Sequence, residues 1–335
     1  MQTLWRPPSV RLFLLAGMSL LMAGAQADAQ SVQKPAADDP EANLVSELVV
    51  TARPPGPSWW TVEKGASKLY ILGLPPTPLP KGLAWDRSLF QRRLKSATAF
   101  LPVPAIMTSV DVGAFQGLGL LTRMAPGMGW TNGDVEKAMP PPLSTRFAAD
   151  RTALGYPVSR YATPAPILAA FKIRQDYLDR SGMTDDLVQD LIAEASKAKV
   201  RVEKRLRIVS PPLKFEDFSL TRPPVQDCFN AVLSQVETNP EVYRAAARAW
   251  AAGRLTEALA APRDPQTLCT ARIYSGAFLR QAWTAEIDDL ARRLEKPGVT
   301  IAVLGVRSLL AEDGVIAGLR ARGYAVTGPE ADAAR

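Results

Sequence analysis

The sequence predicts a mixed α/β chain in which an N-terminal and a C-terminal βα unit share one sheet and flank a helical middle. Three observations carry this. Residues 68–72 and 299–304 are short apolar runs, each closed by a glycine, as buried strands are. Residues 86–97 and 313–322 follow them with apolar side chains at helical spacing. Between the two ends, 166–207 and 240–296 read as helices.

Taken in order, residues 1–27 read as an export signal. Arg6 and Arg11 make a basic n-region, 12–23 is an apolar h-region, and Ala25-Gln26-Ala27 and Ala27-Asp28-Ala29 both fit an A-x-A cleavage pattern. The apolar run is too short to cross a hydrocarbon core of roughly 30 Å, and no later segment approaches that length. The mature chain is expected to be periplasmic or secreted, with no transmembrane segment after signal removal. Residues 28–57, rich in Ala, Pro and charge, read as a flexible leader. Inside it, Ser46-Glu47-Leu48-Val49-Val50-Thr51-Ala52 has strand character and resembles a TonB box, suited to strand addition onto a periplasmic partner.

The folded domain is expected over 58–330, starting at Trp59-Trp60. A buried strand at 68–72 ends in Gly73 and a Pro-rich turn. Leu89, Phe90 and Leu94 mark the helix at 86–97. Residues 99–103 make a second strand, which Pro102 and Pro104 end or confine to an edge. Residues 112–142, rich in Gly, Met and Pro, read as loop; Gly117-Leu118-Gly119 lacks the third glycine and the preceding strand of a dinucleotide fingerprint. A helix over 166–180 follows. Thr184 is a suitable N-cap for a long helix through about 207, with Asp185 and Asp186 at its positive end. Leu187, Leu191, Ala195, Ala198, Val202 and Leu206 form its core stripe. After the helices of 240–296 come a strand at 299–304, a loop at 305–310, a helix at 313–322 ended by Gly323, and a strand at 324–326.

Composition narrows the function. The chain is 47% hydrophobic, so it buries a core. Its net charge of +7 loses Arg6 and Arg11 with the signal, and the remaining basic residues are spread along the chain. The cluster at 197–207 shares its segment with acidic residues, and no basic stripe interleaved with aromatics exists, so no nucleic-acid partner is expected. Cys228 and Cys269 are the only cysteines. In an exported chain an even count favours a disulfide, and this loop would stabilise by roughly 3–4 kcal/mol. There is no histidine. That removes the commonest metal ligand and the only side chain that titrates near neutrality unperturbed. The usual zinc sites and Ser-His or Cys-His catalysis go with it. No catalytic residue, metal ligand or cofactor is assigned.

Trp60-Thr61-Val62, the strand from Lys68 to Gly73, and Leu83-Ala84-Trp85 resemble the start of the TraB/GumN family. Val303 to Leu310, with Asp313-Gly314-Val315, Leu319 and Gly323-Tyr324, is similar to the family's closing motif. Ala153 to Val158 and Leu168 to Phe171 fit its centre. That family includes the Tiki-type metallopeptidases. It is related in fold to the erythromycin esterase and ChaN-like proteins, so an EreA/ChaN-like sheet core is expected. The family pattern places a histidine after the first strand and another after the late strand; Pro76 and Ser308 stand there. Pro102 stands where a carboxylate follows the second strand, and Ala162 where a glutamate follows the central Pro-Val pair. Proline and alanine side chains neither coordinate metal nor transfer protons.

The resemblance therefore implies an exported, catalytically inactive pseudoenzyme that binds a peptide, a protein or an envelope component. Arg307, Ser308, Glu312 and Asp313 are the candidate binding residues, Arg307 bringing a fixed charge to the motif loop. One alternative is a metal-dependent hydrolase, a peptidase or esterase, in which Glu312 and Asp313, with Asp111, hold a hard cation through oxygen. Those two carboxylates equally suit a helix cap. Another alternative is a periplasmic adaptor working through residues 46–52.

Overall fold

A computed structural model describes residues 56–111, 135–137, 139–162, 166–214, 222–274 and 276–329. The expected signal, the leader with its 46–52 segment and most of the glycine-rich stretch lie outside the described residues.

The N-terminal part opens on a hairpin of β1 (Trp59–Lys64) and β2 (Ser67–Leu74), turned at Gly65 with φ +56°. Then come β3 (Leu79–Pro80), α1 (Ser88–Leu94), β4 (Ala99–Leu101) and β5 (Ala105–Asp111). The middle holds α2 (Pro141–Ala153), α3 (Pro166–Arg180), β6 (Met183–Thr184), α4 (Leu187–Lys197), β7 (Arg201–Val202) and β8 (Leu206–Lys214). Five helices follow in part from proline starts: α5 (Pro223–Glu237), α6 (Pro240–Ala251), α7 (Leu255–Leu259), α8 (Pro265–Tyr274) and α9 (Gly276–Leu294). The chain closes with β9 (Gly298–Gly305), α10 (Val306–Leu310), α11 (Val315–Ala321) and β10 (Ala325–Thr327).

The main sheet runs β10-β1-β2-β9-β4-β7. Its N-terminal and C-terminal units do share one sheet, because β9 inserts parallel between β2 and β4. Parallel strands covered on both faces need apolar side chains on both. In β9, Ala302 and Leu304 pack with Leu290, Leu309 and Leu319, while Ile301 and Val303 pack with Phe90, Leu191 and Trp250. Helices from the middle of the chain as well as from both ends thus enclose the sheet. A separate core, built on Phe147, Ile173, Phe229 and Val232, joins α2, α3 and α5. Within it the predicted disulfide is present: Cys228 and Cys269 bridge α5 to α8 across 41 residues.

Three expectations change. The helix from 184 to 207 stops at Lys197: Lys199 turns left-handed at φ +61°, and the Val200 N–H bonds back to Ala195 O at 3.0 Å. Strand pairing wins beyond that point, since Arg201 and Val202 sit opposite Ala99 and Phe100 of β4. The ladder resumes as β5 against β8, which the helical spacing concealed. Thr184 lies in a two-residue strand instead of capping the helix, and its hydroxyl accepts the Asp186 N–H at 3.1 Å. The loop expected at 305–310 contains the short helix α10.

Removing both half-cystines (Cys228→Ala with Cys269→Ala) is expected to cost about 4 kcal/mol by chain entropy; urea unfolding measures it, and a loss below about 1 kcal/mol would contradict a structural bridge. A second test concerns Asp150 on α2. Its Oδ2 is buried without a hydrogen-bond partner. Burial, then the Glu237 charge, pushes its carboxyl from 3.8 up to about 7 against the pull of Arg146. The folded state therefore binds more protons than the unfolded between about pH 4 and 7, so stability falls across that window. Asp150→Asn should flatten this slope and raise stability at pH 8 by on the order of 1 kcal/mol after solvent screening. An unchanged pH profile in thermal unfolding would count against it.

Candidate functional site

The pairing of β2 with β9 sets Gly73 opposite Leu304 and Leu74 opposite Gly305. Gly73-Leu74-Pro75-Pro76 and Gly305-Val306-Arg307-Ser308, more than 200 residues apart in sequence, therefore leave the sheet side by side. On the other flank of β9, Leu101 pairs with Ala302, so Pro102 leaves the same edge. Open α/β sheets keep their ligand crevices at such carboxyl ends.

The exit of β2 is held tightly. A Cβ on Gly73 would lie 2.8 Å from Trp60 Cζ3, so only glycine lets this indole pack there. The buried Trp250 Nε1–H donates to Gly73 O at 2.8 Å, and the Gly73 N–H donates to Ser58 O at 3.1 Å. These contacts fix where Pro75 and Pro76 begin.

A cavity of about 210 Å³ opens beside the two motif loops. Residues 74–79 and 305–308 line it, together with the start of α4 and residues of the segment leading into α8. Arg174, on α3 and 5% exposed, lines it too. Its guanidinium donates to Gln235 Oε1 at 2.6 Å, Asp185 Oδ2 at 2.8 Å and Asp264 Oδ1 at 2.6 Å. Asp264 also caps α8, with Oδ2 accepting the Gln266 N–H at 3.0 Å and the Thr267 N–H at 3.3 Å. Burial raises the Asp185 carboxyl above its usual range, outweighing Arg174, and the charges of Asp264 and Asp186 push the same way. One arginine thus locks three elements around the cavity.

Of the candidate residues, Arg307 and Ser308 line the cavity. Arg307 Nη2–H donates to Leu259 O at 2.8 Å and Ala261 O at 3.1 Å, tying the motif loop to the segment after α7. Ser308 Oγ–H donates to Gly305 O at 2.8 Å inside its own loop. Glu312 and Asp313 are exposed in the turn before α11, and neither is on the cavity wall. Of Asp111 only the backbone, at the end of β5, is described. The buried Pro102 offers its carbonyl to Arg205, whose Nε lies 3.1 Å away. Arg205 in turn pairs with Glu286 and, at 3.5 Å, Asp289 of α9. Ala162 is exposed after a segment that Arg160 and Tyr161 anchor to Asp176. Sequence reasoning missed Thr77, Arg174, Arg263 and Asp264. Only the Asp264-Pro265 pair carried a signal, as a cap followed by proline at a helix start.

A divalent metal does not fit this donor set. The Pro76 side chain has no donor atom, and both cavity carboxylates are held by Arg174. Among the described residues no group of three His, Cys, Asp or Glu side chains could hold an ion.

Fold and site define a mixed α/β domain with a crevice at the carboxyl ends of its parallel strands. The sequence profile of the TraB/PrgY/gumN family matches residues 58–328, and the chain belongs to that family. No curated protein and no solved structure matches it.

Arg174→Met would leave Asp185 and Asp264 facing each other without their cation. We expect a loss of roughly 1–2 kcal/mol in urea unfolding, because Asp185 stays open to solvent, mostly recovered when Asp185→Asn and Asp264→Asn are added. A loss below about 1 kcal/mol would show that the arginine is not what holds these elements.

Proposed function

We propose that this family member is an exported binding protein, a pseudoenzyme that keeps the family's sheet and crevice without its metal chemistry. The observation that carries the reading is the pairing of Leu74 with Gly305. It brings together the two loops on which the family pattern has histidines, and here they present Pro76 and Ser308 to a cavity. Hydrolysis needs an activated water and a group to move its proton. Proline supplies neither. Ser308 is engaged with Gly305 O, and the nearest carboxylates serve Arg174. What remains is a small, half-apolar cleft with fixed charges, which suits recognition of a peptide, protein or envelope component. The export signal read at 1–27 would place this binding in the periplasm or outside the cell.

The test is turnover of peptide and ester reporter substrates by the mature chain, with zinc, manganese or magnesium supplied in turn. No turnover above a heat-denatured control is expected. Activity that disappears on Glu312→Ala or Asp313→Ala would overturn the proposal in favour of a hydrolase with a rebuilt carboxylate site.

A further inference from the structure

On the binding reading just given, the cavity's lining narrows what it holds. The charged side chains on its wall already have partners. Arg174 bonds Gln235, Asp185 and Asp264, and Arg307 bonds the carbonyls of Leu259 and Ala261. Arg263 is engaged as well. A ligand relying on any of them would have to share or displace an existing bond.

Thr77 is different. It lines the cavity and is 5% exposed, yet its hydroxyl has no hydrogen-bond partner among the described residues. Pro75, Pro76 and Pro78 have no N–H, so Thr77 carries the only backbone donor between Leu74 and Leu79. That N–H bonds no acceptor among the described residues either. One buried residue thus keeps two uncharged donors unused, a costly state that a ligand oxygen would relieve. Much of the remaining wall is apolar, with Leu74, Pro75, Leu79, Leu187 and Val188. At about 210 Å³ the cavity is smaller than the roughly 300–1,000 Å³ of pockets that enclose a drug-sized ligand, so it suits one side chain and its adjoining polar group.

We infer that the cavity takes an uncharged amide carbonyl borne on a small branched apolar group, the chemistry of a peptide unit beside an aliphatic side chain. The carbonyl oxygen would accept from Thr77, and its two lone pairs allow it to take both donors. The apolar group would lie against the leucine and proline wall. No charge on the ligand is required.

N-methylisovaleramide carries this chemistry on about eight non-hydrogen atoms, and its thioamide replaces the carbonyl oxygen with sulfur, a weaker acceptor. Ligand-observed NMR on the mature full chain should give the amide a Kd of roughly 1–10 mM. The thioamide should bind about fivefold more weakly or worse. Thr77→Val, which keeps the side chain's shape, should weaken the amide about fivefold and bring the two probes closer together. Its melting temperature should stay level or rise by about 2–4 °C, because a hydroxyl without a partner adds nothing to the fold. Equal binding of the two probes by the unsubstituted chain, or no binding of the amide, would overturn the inference and leave the binding cleft standing; neither result needs the variant to fold. A melting temperature lowered by several degrees in Thr77→Val would also overturn it, since the hydroxyl would then already serve the fold. Hydrolysis of the amide would show as free methylamine in the same spectra and would instead remove the pseudoenzyme reading beneath it.

Discussion

The register of β9 against β2 is the constraint on which the rest of the molecule depends. Eight consecutive pairs, from Ser67 with Gly298 to Leu74 with Gly305, bind the first long strand of the domain to its last. A slip by one residue would turn Ile301 and Val303 away from Phe90 and Trp250 and put Ala302 and Leu304 in their place. Both faces of the sheet would lose their packing together. The cavity inherits its position from this register, because its two motif loops are simply the continuations of the paired strands.

Around that pairing, buried charge holds the connections. Arg174 gathers Gln235, Asp185 and Asp264 from three separate elements, and Arg205 gathers the Pro102 carbonyl, Glu286 and Asp289. Such pairs return little net stability over an apolar core, yet breaking one partner leaves a buried charge exposed to nothing that answers it. Their effect here is geometric. They orient segments such as 263–267 that hydrophobic packing alone would leave adjustable. On the proposed reading, Pro102 and Pro76 stand where the family pattern has polar side chains, so the crevice would keep its place while its chemistry changes.

Much of this was legible from residue order. The strands β2 and β9 announce themselves because burial on both faces demands unbroken apolar runs, and the disulfide follows from two cysteines in a chain read as exported. The segment 198–214 misled because Ala198, Val202 and Leu206 continue a helical spacing. Nothing in their identities tells that Lys199 will turn left-handed and that β4 will offer Arg201 and Val202 a partner. Arg174 was equally hidden: its aspartates lie 11 and 90 residues away, and a lone arginine in a helix reads as surface. Arg307 and Ser308 could be singled out because the motif loop is local in sequence. Glu312 and Asp313 were drawn in by proximity along the chain, whereas α10 carries them out to an exposed turn.

The central claim is that the crevice has kept its place and lost its capacity for metal. Metal content by mass spectrometry tests this most directly, on mature chain purified without a polyhistidine tag, which would otherwise supply the missing ligand. After exposure to zinc, manganese and magnesium followed by desalting, the account predicts less than about 0.1 metal per chain. Near-stoichiometric metal, lost on Glu312→Ala or Asp313→Ala, would contradict it.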